Sequence, residues 1–412
     1  MRGPVAHELG RWERLFAART RSAAGDAIAA IMALANRTDI ISFCGGIPDP
    51  VTFPGEELAD ITRELVAGDP TAFQYTPTAG LASLREYIAD RLELLDGLRP
   101  GAGELMVTSG GIDALELISK SFLDAGDLVL VEGPSYLGSI MSFRGFETRV
   151  EAVPLDDDGL DVDALEHVLA TGPTPKLVYT IPDFQNPSGV TLGAERRARL
   201  VELARRYGFL LVEDVCYREL SFGGEQPPTL RGQAPDAVVQ IGTFSKTFFP
   251  GVRLGWASGP AEVVAKLVWA KQNTDQCSGA LGQRLFEEYG RRGHLDARTA
   301  EARELYAHRA ERTMAALDEL MPPGVRWTRP SGGFYTWLTL PDGLDTAELA
   351  ERAMEERVAF VPGAPFYPDG TGRESLRISF SRARDDEIEE GMRRLGRLFT
   401  QAVYGARPPS VA

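Results

Sequence analysis

Apolar residues recur in short, uninterrupted runs through the middle of the chain, from about residue 80 to residue 260. Stretches with helical periodicity separate these runs. A strand that is apolar at every position is buried on both faces, and strands that alternate with helices usually pair in parallel. The pattern therefore predicts a mainly parallel α/β sheet sandwiched by helices, whose ligands gather where the strands end. The predicted strands are Leu105–Thr108, Leu128–Val131, Leu177–Ile181, Phe209–Val212 and Val238–Ile241.

The two ends of the chain follow a different pattern. Residues 8–37 are predicted to be helical, and the apolar run Ile40–Phe43 leads into a glycine pair, Gly45 and Gly46. The final third alternates charged helices with short strands, which predicts a smaller α+β domain completed by the N-terminal segment. We predict an N-terminal segment at 1–54, a large domain at 55–300 and a C-terminal small domain at 301–412. The elements predicted in the final third are helices at 294–320, 346–357 and 385–404 and strands at 334–340, 358–360 and 376–379.

Composition limits the partners that the protein can have. A chain of 412 residues exceeds the roughly 250–300 residues of one core, which supports two domains. The net charge of −15 does not attract nucleic acid or an anionic membrane, so any anion site is local. Three scattered cysteines, Cys44, Cys216 and Cys277, do not form a disulfide framework or a zinc cluster. Because no apolar run resembles a signal peptide or a membrane span, we expect a cytoplasmic protein that takes no membrane partner.

The segment Thr243–Arg253 places one lysine among hydroxyl groups, with an arginine seven residues further on. A lysine forms an imine only through its neutral amine, which burial or a neighbouring positive charge favours. Phenylalanines in the segment supply an apolar surround for Lys246, and Arg253 with Thr243 and Ser245 can hold a phosphate. The alternative is a surface loop with a solvated lysine. The segment favours a site for an aldehyde cofactor that carries a phosphate.

The other predicted strands are also followed by residues suited to such a ligand. A turn containing Gly110 and Gly111 opens a helix after the first strand, and its backbone N–H groups can bind phosphate. Tyr136 follows the second strand, where it either faces the ligand or packs at a helix start. Asn186 follows the third strand. Asp214 follows the fourth, and its buried carboxylate needs a cationic partner, which a protonated pyridine nitrogen supplies.

The order of these motifs resembles the class I/II aminotransferases, which use pyridoxal 5′-phosphate and have the fold type I architecture. The resemblance covers nearly the whole chain. It implies a large domain with a mainly parallel seven-stranded sheet between helices, plus a smaller α+β domain. Within the family, three segments resemble the branch that contains 2-aminoadipate and kynurenine aminotransferases: Ile41–Pro50, Phe73–Gly80 and Leu376–Phe380.

The resemblance also implies a role for each site residue. Lys246 holds the cofactor as an imine and later moves a proton, while Asp214 keeps the pyridine nitrogen protonated. Arg377 grips the substrate carboxylate, with help from Gly46 and Asn186. Tyr75 enters from the second subunit of a homodimer whose active sites are shared across the interface. The remaining implied contacts are Tyr217 and Asn186 to the phenolic oxygen, Tyr136 on the ring, Gly110, Gly111, Ile112, Thr243, Ser245 and Arg253 around the phosphate, and Gly45 beside the substrate.

Two positions depart from the family pattern. The phosphate turn usually carries a small polar residue and a glutamine after its first glycine, where this chain has Gly111, Ile112 and Asp113. A side-chain hydroxyl is lost there, and each missing hydrogen bond to the cofactor is worth about 1 kcal/mol. In the N-terminal helix, the branch carries an Ile-Arg-Glu motif whose arginine meets an acidic or bulky substrate side chain. This chain has Ala29 there. Because alanine cannot neutralise a distal carboxylate, we expect 2-aminoadipate and glutamate to be poor amino donors.

Two reactions stay open at the level of sequence. The first is transamination, in which an L-α-amino acid gives its amino group to a 2-oxo acid. The second is a β- or γ-elimination, cyclisation or carbon–carbon bond formation on an amino acid with the same cofactor. Lys246, Asp214 and Arg377 serve both reactions, so these residues do not decide between them.

Overall fold

The computed structural model describes residues 12, 15–20 and 25–405. Most of the first part of the helix predicted at 8–37 lies outside the described residues, and its last part forms Gly25–Ala35. The helices predicted at 294–320 and 385–404 have the predicted bounds. The α-helices of the described residues are α1 Gly25–Ala35, α2 Gly55–Gly68, α3 Ala82–Asp96, α4 Gly111–Phe122, α5 Leu137–Arg144, α6 Val162–Thr171, α7 Ala194–Tyr207, α8 Leu230–Gln233, α9 Ala261–Gln272, α10 Ala280–Arg291, α11 His294–Leu320, α12 Thr346–Glu355 and α13 Asp385–Tyr404.

The strands of the described residues form one large sheet, one smaller sheet and one short parallel pair. All five strands predicted in the middle of the chain are present, with ends shifted by at most two residues. The strands are β1 Ile41–Ser42, β2 Leu105–Thr108, β3 Leu128–Gly133, β4 Arg149–Asp156, β5 Gly159–Leu160, β6 Leu177–Thr180, β7 Leu210–Asp214, β8 Val238–Thr243, β9 Gly255–Ser258, β10 Arg326–Trp327, β11 Tyr335–Thr339, β12 Val358–Ala359, β13 Val361–Pro362 and β14 Ser375–Ser379.

The large sheet confirms the predicted mainly parallel α/β architecture. Its order is β2-β9-β8-β7-β6-β3-β4-β5, and the five strands from β8 to β4 run parallel. β9 lies antiparallel between β2 and β8. The two-residue strand β5 folds back on β4 and adds an eighth strand to the seven that the family implies. Because β6, β7 and β8 are parallel neighbours, their carboxyl ends meet at one edge of the sheet.

The smaller sheet belongs to the final third of the chain. Its order is β10-β11-β14-β13, and all its pairs are antiparallel. The N-terminal strand β1 pairs in parallel with β12, so the two ends of the chain meet there. Phe43 is fully buried in the same apolar cluster as Leu376, Ile378 and Phe399. These contacts support the predicted small domain, whose boundaries at residues 54 and 300 stay a prediction.

The long helix α11 connects the two parts. Tyr306, near its middle, belongs to the apolar cluster beneath the large sheet, whereas Leu317, near its end, belongs to the cluster of the smaller sheet. Within the described residues, no helix is both long and apolar enough to cross a lipid bilayer. The same part of the chain holds no group of three or more acidic, histidine or cysteine side chains placed to hold a metal ion.

Candidate active site

A cavity of about 290 Å³ opens at the edge where β6, β7 and β8 end, beside the start of α4. That size lies at the lower end of the ~300–1,000 Å³ typical of small-molecule sites. Both sheets contribute to its walls, because Tyr335 and Arg377 come from the smaller sheet. Most of the residues predicted from the sequence line it: Gly46, Gly111, Ile112, Tyr136, Asn186, Asp214, Tyr217, Thr243, Ser245, Lys246, Arg253 and Arg377.

Lys246 follows β8 and points its amine into the cavity. Nζ donates a hydrogen bond of 2.8 Å to the carbonyl oxygen of Gly46, and lies 5.7 Å from the ring centres of both Tyr217 and Phe334. Burial lowers the pKa of this amine, and the positive charge of Arg377 acts in the same direction. A lowered pKa increases the fraction of neutral amine, the form that attacks an aldehyde.

Asp214 is the last residue of β7, and only 6% of it is exposed. Its carboxylate accepts hydrogen bonds from the hydroxyl of Tyr179 at 2.8 Å and from the backbone N–H of Cys216 at 3.1 Å. No described residue forms an ion pair with it. Burial therefore raises the pKa of Asp214, although both hydrogen bonds favour the charged form. A cationic ligand atom beside this carboxylate would stabilise its ionised state.

Arg377, on β14, lies on the opposite side of the cavity with a largely buried guanidinium. Nη1 donates to Oδ1 of Asn186 at 2.9 Å, and Nη2 donates to the carbonyl oxygen of Cys44 at 2.7 Å. Nε is buried and has no hydrogen-bond partner among the described residues. No described carboxylate pairs with this arginine. A buried guanidinium held in one orientation, with donor capacity left over, suits the planar carboxylate of a ligand.

Hydroxyl groups, backbone N–H groups and one arginine meet at the start of α4. The hydroxyl of Thr243 donates to Oγ of Ser245 at 3.0 Å, and Arg253 reaches across to the carbonyl oxygen of Ser109 at 3.2 Å. Gly110 precedes the helix at φ 106° and ψ 174°, a conformation that only glycine adopts readily. A Cβ at Gly110 would lie 2.6 Å from Nη2 of Arg253. The turn and the arginine thus form a close-packed cradle for an anion.

Two tyrosines flank the middle of the cavity. The hydroxyl of Tyr217 forms a 3.0 Å hydrogen bond with the hydroxyl of Tyr335. Tyr136 immediately precedes α5, where Gly138 leaves room for its ring: a Cβ at Gly138 would lie 2.5 Å from Cζ of Tyr136. The lining thus contains an aromatic face and a phenol hydroxyl, beside the buried aspartate and the lysine that also line it.

Four predicted site residues do not line the cavity. Gly45 and Gly110 lie directly beside lining residues, and the carbonyl oxygen of Gly45 accepts a 2.7 Å hydrogen bond from Oγ of Ser379. Tyr75 is 77% exposed on the surface of the single chain, so its predicted entry from a second subunit stays a prediction. Ala29 is exposed on α1, and its predicted place beside the substrate also stays a prediction.

The sequence did not indicate several lining residues. From α1, the cavity is lined by Ile31 and Met32 rather than by Ala29. Tyr335 and Phe366 line it from the C-terminal third. Tyr335 follows a glycine pair in an apolar run, a pattern that is typical of a buried strand and does not reveal a hydroxyl directed into a cavity.

The residues around the cavity fit an aldehyde cofactor that also carries a phosphate and a pyridine ring. Asp214 is a buried carboxylate without a cationic partner among the described residues, as a protonated ring nitrogen requires. Among the described residues that line the cavity, Asp214 is the one acidic side chain, and Gly111, Thr243 and Arg253 offer N–H, hydroxyl and guanidinium groups that suit a phosphate. Lys246 adds an amine whose pKa burial lowers, in the same cavity.

Comparisons with known proteins identify the family. The family model for aminotransferase class I and II matches residues 38–395. A 2-aminoadipate transaminase of Thermus thermophilus is 40% identical over 391 residues, 94% of this chain and 96% of the relative. Aromatic-amino-acid aminotransferase 1 of Thermococcus litoralis is 37% identical over 390 residues, 93% of this chain and 94% of the relative. The crystal structure of Pyrococcus horikoshii kynurenine aminotransferase has a TM-score of 0.92 and 38% identity, covering 96% of this chain and 99% of that chain.

The predicted fold, family and cofactor are thereby confirmed. All three relatives are named for amino-group transfer, so the comparisons support transamination over the elimination or synthase chemistry that the sequence left open. The chain belongs to the class I and II aminotransferases, and it is a pyridoxal 5′-phosphate-dependent transferase that exchanges an amino group between an amino acid and a 2-oxo acid.

Proposed function

We propose that this aminotransferase prefers L-amino acids with apolar or aromatic side chains as amino donors. The observation that carries the proposal is the distribution of charge in the cavity lining. Among the described lining residues, the basic side chains are Lys246, Arg253 and Arg377. Each has a task at the cofactor or at the α-carboxylate, so none is left for a carboxylate at the far end of the substrate.

The end of the cavity that α1 covers is lined by apolar side chains. Ile31, Met32, Ile47, Leu137 and Phe366 contribute carbon surfaces there. Burying an apolar substrate side chain against them gains about 25 cal/mol for each Å² removed from water. A carboxylate at the same place loses its hydration without gaining a partner. The name of the Thermococcus litoralis relative, an aromatic-amino-acid aminotransferase, agrees with an apolar preference.

Lys246 performs the proton chemistry in this proposal. Its neutral amine is the group to which the cofactor's aldehyde is joined, and burial keeps that amine available. Once substrate had replaced it, this amine would take the proton from the substrate's α-carbon and pass it to C4′ of the cofactor. The hydrogen bond to the Gly46 carbonyl oxygen orients Nζ. Pyridoxal 5′-phosphate supplies an electron-withdrawing ring that stabilises negative charge at the α-carbon.

Arg377 and Asp214 hold the two ends of the reacting assembly. Arg377 binds the substrate α-carboxylate as a planar fork, and Asn186 fixes the orientation of that fork through its 2.9 Å hydrogen bond. Asp214 would keep the ring nitrogen protonated, because its two hydrogen bonds favour the ionised carboxylate. Tyr217 would donate to the phenolic oxygen of the cofactor, and Tyr136 would pack against its ring. Thr243, Ser245, Arg253 and the N–H groups of Gly111 and Ile112 hold the phosphate.

We also propose a homodimer in the cytoplasm. Tyr75 and Phe73 are 77% and 63% exposed, an unusual exposure for aromatic side chains that a second copy of the chain would bury. In such a dimer, Tyr75 of one protomer reaches the cavity of the other. All three cysteines are unpaired, which supports a reducing compartment.

Single-turnover rates with a panel of amino donors test the substrate preference. Phenylalanine, leucine and methionine should convert the bound cofactor to its amine form faster, per unit concentration, than glutamate or 2-aminoadipate. Met32→Arg, which adds a positive charge at the lining, should improve glutamate by up to ~2 kcal/mol in transition-state free energy. Ala29→Arg is the matched control, because it adds the same charge one turn earlier on the same helix, at a residue that does not line the cavity. If the unmodified protein favours 2-aminoadipate over every neutral donor, the proposed preference is wrong.

A further inference from the structure

Tyr335 lies at the centre of the site, although no part of the sequence pattern indicated it. It is on β11, is only 1% exposed and lines the cavity between the lysine and the arginine. Its side chain contacts three groups: the hydroxyl of Tyr217, the guanidinium of Arg377 and the backbone of Gly46. Each of the three has a place in the proposed function.

The contact with Tyr217 determines how one proton is shared. The two hydroxyl oxygens are 3.0 Å apart, and only one of them can donate to the other. Burial raises the pKa of both phenols, so both keep their protons at neutral pH. When the hydroxyl of Tyr217 donates to a ligand oxygen in the cavity, its own oxygen is left as an acceptor. Tyr335 is then the donor in this pair.

The ring of Tyr335 supports the arginine from one side. Cζ of Arg377 lies 4.5 Å from the centre of this ring and 4.9 Å from the centre of the Phe366 ring. A guanidinium on an aromatic face gains cation–π attraction, and the ring sets the plane of its donor groups. Gly46 leaves room for the hydroxyl end, since a Cβ at that position would overlap the Tyr335 hydroxyl.

We propose that Tyr335 is a positioning residue that acts on both ends of the substrate site: its hydroxyl donates to Tyr217, and its ring fixes the plane of Arg377. The proposal rests on the proposed roles of Tyr217 and Arg377. Donation from Tyr335 polarises the Tyr217 hydroxyl and strengthens the hydrogen bond that Tyr217 gives, because chains of hydrogen bonds reinforce one another. The ring separately holds the guanidinium of Arg377 in the orientation that binds the substrate α-carboxylate.

The two contacts can be tested separately in the cofactor-loaded protein. Tyr335→Phe keeps the ring and removes the hydroxyl, so the pH midpoint of the cofactor's visible absorbance should rise by about half to one unit, as expected for one weakened hydrogen bond. The KM for amino donors should change less than about threefold. Tyr335→Leu also removes the ring, and the KM for every amino donor should then rise about tenfold.

A double substitution shows whether the hydroxyl acts through Tyr217. Tyr335→Phe should shift the absorbance midpoint in the unmodified protein and should add no further shift in a Tyr217→Phe background. Tyr289→Phe removes the hydroxyl of another buried tyrosine, outside the cavity lining, and should leave both the midpoint and the KM unchanged. Thermal unfolding of each variant confirms that it is folded.

Two results would overturn the inference. One is an unchanged absorbance midpoint in folded Tyr335→Phe. The other is that Tyr335→Phe shifts the midpoint equally in the unmodified protein and in the Tyr217→Phe background. Neither result touches the proposed substrate preference, which fails instead if the unmodified protein favours 2-aminoadipate over every neutral donor. The two failures are therefore distinguishable.

Discussion

Replacing Gly110 by alanine should weaken cofactor binding about 10- to 100-fold. The residue has φ 106° and ψ 174°, so alanine there strains the backbone by about 1–3 kcal/mol. The new Cβ would lie 2.6 Å from Nη2 and 3.2 Å from Cζ of Arg253, which forces the guanidinium to move. Losing one charge-assisted hydrogen bond to phosphate costs about 1.5–3 kcal/mol, and every 1.4 kcal/mol is about tenfold in affinity.

Equilibrium titration of the apoprotein with pyridoxal 5′-phosphate, followed by protein fluorescence, measures this loss. Gly126→Ala is the matched control, because Gly126 also has a positive φ, 89°, and its Cβ would meet nothing within 4 Å. Both variants should unfold at a lower temperature, but only Gly110→Ala should lose cofactor affinity. If folded Gly110→Ala binds the cofactor as tightly as the unmodified protein does, Arg253 and this turn do not hold the phosphate.

Three further outcomes follow from the site. Arg377→Lys keeps the charge but loses the fork, so KM should rise about 10- to 100-fold for all amino donors while cofactor affinity, by the same titration, stays unchanged. Asp214→Asn cannot hold a protonated ring nitrogen, and kcat should fall about 100-fold or more in steady-state assays. Burial raises the pKa of Glu132 from 4.5 to about 7. The folded state therefore binds this proton more tightly than the unfolded state, and the free energy of unfolding falls as pH rises through that window, by up to ~3 kcal/mol. Urea unfolding of the cofactor-loaded protein measures this loss of stability between pH 4.5 and 7. The loss should be smaller in Glu132→Gln but not absent, because burial also raises the pKa of Glu213 to about 7.

The fold was largely predictable because burial on both faces leaves a clear trace in sequence. Strands β3, β6, β7 and β8 are apolar along most of their length and were found from that pattern. The pattern did not indicate β4, which lies near the edge of the sheet, because exposed positions recur along the strand and only Val153 is buried. β9 was missed because Gly255 and Ser258 interrupt its apolar character, although all four of its residues are buried.

The site was predictable where chemistry restricts the residue type. An amine beside hydroxyls and an arginine indicated Lys246, and a carboxylate at the end of a buried strand indicated Asp214. Tyr335 carried no such trace, because a tyrosine in an apolar strand usually packs in the core. Its role depends on the contact between the two sheets, which no local pattern contains. The sequence also could not show that Ile31 and Met32, rather than Ala29, line the cavity, since packing decides which face of α1 meets it.

Chemical mapping of the cofactor attachment tests the central claim most directly. Borohydride reduction of the cofactor-loaded protein makes the bond between the cofactor and its lysine permanent, and peptide mass analysis then locates the label. We predict a single pyridoxyl group on Lys246. Lys271 is the informative comparison: it is also buried, but its Nζ is held by Asp113 at 2.8 Å and by Asp275 at 2.7 Å. These two ion pairs occupy the amine of Lys271, and the residue does not line the cavity. A label on Lys271, or on Lys266, would contradict the account.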